Sequence, residues 1–168
     1  MQYQIIPYRS GEIVVLGDLH YDSYQHFDQC PIDQRNLQDI VWNADALILA
    51  GDLTNGPADC WAQVIRYLSE FILPERIYAL PGNHDYYGAH LTDDHKLERV
   101  ANDAGAHFLQ KTALLHGDTR ILCCTLWTDF NLSGEPSMAM HTANLLMADY
   151  GMIGAPLDPT IPEVGIPI

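Results

Sequence analysis

An α/β fold built on parallel strands is what this sequence predicts, and three observations lead to it. Three apolar runs, Ile13-Val14-Val15-Leu16, Ala46-Leu47-Ile48-Leu49-Ala50 and Ile77-Tyr78-Ala79-Leu80, have the length and composition of buried strands. Each runs into a loop that pairs glycine with polar side chains: Gly17-Asp18-Leu19-His20, Gly51-Asp52-Leu53 and Pro81-Gly82-Asn83-His84-Asp85. Successive motifs lie a little over thirty residues apart, about one strand-helix-strand unit. A parallel sheet gathers the three strand ends on one edge, where open α/β sheets hold their ligands.

Composition bounds the reading. The 168 residues suit one domain, and 48% hydrophobic content is ordinary for a globular protein able to bury a core. Net charge is -14, from 22 acidic and 8 basic residues, so no general field draws phosphate backbones. That argues against non-specific nucleic-acid binding. Clustered carboxylates are also what a hard or borderline cation requires. Cys30, Cys60, Cys123 and Cys124 form no CxxC pair and read as reduced, mostly buried thiols. Met1 to Pro7 has no basic stretch followed by an apolar one, and no run reaches membrane length. A soluble, cytoplasmic protein without membrane partners is expected.

The elements follow in order. Tyr21 to Pro31 is too polar for a core element and reads as a loop over the strand ends. A helix is expected over 32–43, with Leu37, Ile40 and Val41 toward the sheet. After the second strand, Thr54 to Pro57 is a turn. Trp61, Val64, Ile65, Leu68 and Ile72 then form a helical stripe ended by Pro74. A third helix is expected over 93–104, closed by Gly105, and a short strand over 107–109. Runs 112–116 and 119–126 flank Gly117-Asp118, a hairpin signal, so the pattern changes there from parallel units to a meander. Residues 137–147 read as a last helix. Residues 1–153 are expected to form one domain and 154–168 an extended, Pro-rich tail.

Taken together, the three motifs resemble the first three signature blocks of the calcineurin-like metallophosphoesterase family, in its order and spacing. The segment Thr125-Leu126-Trp127-Thr128-Asp129-Phe130 also resembles one found in a bacterial and phage branch of that family. The resemblance covers nearly all of the chain as far as about Ile153. It implies a metallophosphoesterase-like β-sandwich flanked by helices. Family members continue into a fourth block with a metal-binding His and a Gly-His-x-His block. Neither is found in this sequence, so a fold incomplete at its C-terminal side is expected.

The resemblance also implies roles. Asp18 and His20 would bind one metal, Asp52 would bridge two, and Asn83 would bind the second. Carboxylate, imidazole and amide oxygen suit Mn, Fe or Zn. Two such cations about 3.5 to 4 Å apart clamp a phosphoryl group and activate a hydroxide. His84 would face the phosphate rather than a metal, stabilising charge or protonating the leaving group. With the later His residues absent, one well-held metal is expected, on the Asp18 and His20 side.

Blander readings stand beside these. Asp18 and Asp52 can cap loops, and Asn83 can simply tolerate a left-handed turn. Asp85 reads as a loop cap rather than a partner of His84. Tyr86 and Tyr87 read as packing more readily than as a cleft lining, and Asn55 and Asp129 stand at the site's edge. His26, His90, His95, His107 and His116 read as surface or loop residues, and His141 as a satisfied core histidine on the last helix.

The leading function is a metal-dependent phosphoesterase acting on a monoester or diester, with a small phosphoester or a nucleotide as substrate, its activity reduced in this chain. The alternative is an inactive chain that keeps a partial metal site and acts only by binding. A nucleotide-binding α/β module ranks last, because Gly51 to Gly56 lacks the lysine of a phosphate loop. The uncharged, β-prone run 121–127 adds an expectation of self-association through an exposed strand edge.

Overall fold

A computed structural model describes residues 2–25, 32, 36–56 and 58–155. Two sheets lie face to face. One holds β2 (Ile13–Leu16), β3 (Ala46–Ala50), β4 (Ile77–Leu80) and β5 (His107–Phe108), in that order and all parallel. The other holds β1 (Gln2–Ile5), β6 (Thr112–His116) and β7 (Thr119–Cys123). In it β6 and β7 form the expected antiparallel hairpin, while β1 pairs parallel to β6.

β3 shows why its sequence alternates nothing and buries everything. Ala46 and Ile48 point toward the second sheet and pack with Ile6, Leu114 and Cys123. Leu47 and Leu49 point the other way, onto a core with Trp61, Val64, Ile65, Leu68 and Leu97. A strand covered on both faces needs an apolar residue at every position, as parallel strands commonly do. Trp61 to Leu68 lie on α3 (Asp59–Leu68), and Leu97 on α4 (Asp94–Asp103). The result is a mixed α/β architecture of two sheets with helices against one of them, as expected.

Several expectations need correction. Tyr21–Gln25 forms a short helix, α1, where a loop was expected, and residues 26–31 lie outside the described set. The helix expected over 32–43 is described as α2 (Gln38–Asn43); Val41 is buried there, but Ile40 faces solvent. α3 ends at Leu68, not at Pro74, which instead opens a 3₁₀ turn, and Ile72 is buried beyond the helix end. β7 stops at Cys123, before Leu126, and β5 stops at Phe108. The last long helix, α5 (Pro136–Leu146), exposes His141, Met138 and Leu145, so His141 is not a core residue. A further short helix, α6 (Asp149–Met152), was not expected. Most of the 154–168 tail, with Cys30 and His26, lies outside the described residues.

His116 is the clearest departure. It is buried rather than on the surface, with Nε2 2.7 Å from Asp45 and its ring stacked on Tyr8. The Asp45 carboxylate also accepts the backbone N–H groups of Arg9, Ser10 and Gly11 and the Ser10 hydroxyl. Burial alone would raise its pKa, yet these donors together hold it well below the usual carboxylate range. Cys123 is buried as expected, Cys60 and Cys124 are half-buried, and all three are free thiols.

Candidate metal centre

The three motif loops leave the carboxyl ends of β2, β3 and β4 side by side. The first two are laced together by backbone hydrogen bonds, Asp18 N–H to Gly51 O at 3.1 Å, His20 N–H to Asp52 O at 3.0 Å and Tyr21 N–H to Leu53 O at 2.9 Å. This lacing holds three side chains in an unusual backbone state. Asp18 (φ 53°), His20 (φ 41°) and Asp52 (φ 53°) all sit in the left-handed region. Each such non-glycine residue costs about 1–3 kcal/mol and persists only where its surroundings overdetermine it. One ligand atom from each of the three lies within 4.8 Å of the others.

The second and third loops interlock through glycine. A Cβ on Gly82 would meet the Asp52 backbone N at 2.7 Å and its side-chain Cγ at 2.8 Å, and one on Gly51 would meet Gly82 Cα at 2.9 Å. Only glycine permits this approach. It brings the His84 N–H to Asp52 Oδ1 at 3.0 Å, which fixes the carboxylate. Asp85 is a loop brace, as expected: its buried carboxylate accepts from the N–H groups of Leu53, Thr54 and Gly82 and from the Trp61 indole. Burial nevertheless pushes its pKa up to about 6, against the pull of those donors.

His20 leaves one ring nitrogen open to a further partner. Its Nδ1 is buried and makes no hydrogen bond among the described residues. A buried imidazole nitrogen without a partner is costly unless something else coordinates it. Two carboxylates and an imidazole form a donor set that fits a divalent transition metal.

His84 stands over this cluster, its ring edge-on to His20 at 4.9 Å. Its Nδ1 lies 2.6 Å from Asn55 Oδ1. Asn55 turns its Nδ2 to the Asp22 carboxylate at 3.0 Å, and a carboxylate only accepts. Asn55 Oδ1 is therefore an acceptor and His84 Nδ1 carries a proton, while Nε2 lies 3.5 Å from the Tyr87 hydroxyl. Tyr87 stacks on the His84 ring at 4.3 Å. Burial, then the hydrogen bond to Asp149, pushes the Tyr87 hydroxyl up to about 12. Tyr86 is buried packing, as expected.

Asn83 adopts a right-handed backbone, φ -67° and ψ -37°, so a left-handed turn does not explain its presence. Its Nδ2 donates to Asp149 Oδ1 at 2.6 Å. Beside it opens a cleft of about 460 Å³ lined by Asp52, Asn83, Trp127 and Asp149, among others. Thr125 ties the wall of that cleft to the third loop through its hydroxyl, which donates to Pro81 O at 2.6 Å. Asp129 instead caps its own turn, accepting from the Asn131 N–H.

The motif residues thus assemble at one sheet edge, and the 4.8 Å cluster comprises Asp18, His20 and Asp52, with Asn83 and His84 on the adjoining loop. Comparison with protein-family models matches the calcineurin-like phosphoesterase family over residues 11–150. The chain belongs to that family. Comparisons with curated proteins and with solved structures return no match. The match spans all three motif loops and reaches α6, so calcineurin-like phosphoesterase describes the whole of the site and not one strand end. Asp149 and Asp22 escaped the sequence reading because neither belongs to a motif; each acts through an asparagine distant along the chain. Asn55, three residues after Asp52, was the one signal within reach.

Proposed function

We propose that this calcineurin-like phosphoesterase hydrolyses phosphoesters, with Asp18, His20 and Asp52 holding a divalent transition metal. The observation that carries the reading is the convergence of three ligand atoms within 4.8 Å on residues held in a strained backbone, one of them with an orphaned buried nitrogen. Asn83 would add an amide oxygen on the Asp52 side. A bound metal supplies neutralisation of the phosphoryl charge and acidification of a water molecule. The chain's own residues do the rest. Asp52 is fixed by the His84 N–H and so keeps one carboxylate oxygen for the cluster. His84 is held by Asn55 through its Nδ1 proton, and as the imidazolium its Nε2–H would donate to the ester oxygen, stabilising its charge or passing it the proton.

One metal per chain is expected to be held well. Among the described residues a single group of three ionisable ligands converges, and the Asn83 side adds only an amide to Asp52. His116 cannot supply a further donor, being bonded to Asp45. This observation also favours the second reading, a chain that binds metal and phosphoester without turnover. The substrate is read as a small phosphoester or a nucleotide in the cleft beside Asp52.

Hydrolysis of p-nitrophenyl phosphate and of bis-p-nitrophenyl phosphate with added Mn²⁺ tests the proposal. Turnover that requires Mn²⁺ and disappears in Asp52→Asn supports the enzyme. Mn²⁺ binding without turnover supports the binding-only reading, and turnover retained in Asp52→Asn contradicts both assignments of that residue.

A further inference from the structure

Asp149 is a buried carboxylate whose two hydrogen-bond partners among the described residues both belong to the site. It is 9% exposed, and its Oδ1 accepts from Asn83 Nδ2 at 2.6 Å and from the Tyr87 hydroxyl at 3.0 Å. Burying an ionised group costs free energy unless it is well paired. Asp45, which braces two sheets, meets that cost with four donors besides His116. Among the described residues Asp149 has two donors, both of them side-chain groups.

We infer that Asp149 is a positioning residue that sets which end of the Asn83 amide faces the metal centre. A carboxylate accepts and never donates, so the Asn83 end turned toward it must be the NH₂ group. The reversed amide would place its carbonyl oxygen against the charged oxygen of Asp149. Only the carbonyl oxygen of an amide holds a cation, so the orientation that Asp149 selects is the one a metal ligand needs. Free in solution, an asparagine spends part of its time with either end forward. Here the choice is made before any cation arrives.

The same oxygen reaches the other half of the site. The Tyr87 hydroxyl that it accepts belongs to the ring stacked under His84 at 4.3 Å. Asp149 therefore fixes the amide at Asn83 and the platform of His84 together. Its own position is set by the segment that carries it. Gly88 N–H donates to Met152 O, Leu91 N–H to Gly154 O and Gly154 N–H to Ala89 O, each at 2.8 Å. A side chain on Gly154 would meet the His90 ring at 2.8 Å and the Ala89 carbonyl oxygen at 3.2 Å, so a larger residue there would displace that ring. α6 is thus clamped to the loop it organises.

The inference rests on the phosphoesterase reading for its purpose but not for its geometry, and two readouts separate the two. In the metal-free full-length chain, ¹⁵N-asparagine labelling should show one Asn83 NH₂ proton shifted downfield and slow to exchange. Asp149→Ala should return it to the position of an exposed amide, while Asp149→Asn, whose oxygen also accepts, should preserve it. Calorimetric titration with Mn²⁺ should then show affinity on the Asn83 side weakened about 10–100-fold in Asp149→Ala. Asn83→Asp should also weaken it, by setting carboxylate against carboxylate. The exchange of both residues, Asn83→Asp with Asp149→Asn, should recover binding, a rescue that keeps the test open where Asp149→Ala does not fold. An Asn83 NH₂ signal typical of solvent in the wild type overturns the inference, as does Mn²⁺ affinity on the Asn83 side unchanged in folded Asp149→Ala. A wild type that takes up no Mn²⁺ would sink the phosphoesterase reading, and the NH₂ signal would still decide the role of Asp149.

Discussion

Strand β3 carries a carboxylate at each end, and the two are used in opposite ways. Asp45, just before the strand, is buried and receives the Arg9, Ser10 and Gly11 backbone groups, the Ser10 hydroxyl and His116. Asp52, just after it, sits in a left-handed backbone and receives the His84 N–H. The first is saturated and the second is left with capacity. On the proposed function, hydrogen-bond satisfaction, more than residue type or burial, separates the carboxylate that holds the fold from the one proposed to hold a metal.

Single substitutions sharpen that contrast. His84→Ala is expected to lower turnover by about 10²–10⁴-fold, the span of a positioned proton-transfer group, with little change in melting temperature. Asp45→Ala should do the reverse. It strands His116 and three backbone donors, at a cost of about 3–5 kcal/mol seen by urea denaturation, while turnover per folded molecule persists. A large activity loss in folded Asp45→Ala would break the division between the two ends.

The division was only half legible in the sequence. Asp18, His20, Asp52, Asn83 and His84 could be picked out because each follows an apolar strand within two to four residues, and local pattern carries that information. The Asp45 to His116 pair could not, because 71 residues separate its members and nothing around His116 marks it as buried. The same holds for Asn83 and Asp149, which are 66 residues apart. Strand β1 was missed for a related reason: Gln2-Tyr3-Gln4-Ile5 is short and half polar, and becomes a strand only by pairing with β6. Helix ends were displaced where tertiary packing decided them, as at Ile72, which is buried outside α3.

Acid offers a milder probe of the saturated end. The folded pKa of Asp45 is depressed, so the stability it lends is fully present above the unfolded carboxylate value of about 3.9 and is lost as pH falls below it. The stability gap between wild type and Asp45→Asn should therefore be constant near neutrality and narrow below about pH 4. A gap that widens on acidification would have the wrong sign. Smaller still is the effect expected at Asp18, in the left-handed loop after β2. Asp18→Gly relieves a left-handed backbone at an exposed position and should raise the stability of the metal-free chain by about 1 kcal/mol while weakening Mn²⁺ binding. Strain that is not relieved would mean the backbone there is set by packing alone.

The central claim, that Asp18, His20 and Asp52 form a metal centre, is met most directly by calorimetric titration of the full chain with Mn²⁺, wild type against His20→Ala. The account predicts one well-held Mn²⁺ per chain, lost when the imidazole is removed. Two equally tight sites, or binding indifferent to His20, would contradict it.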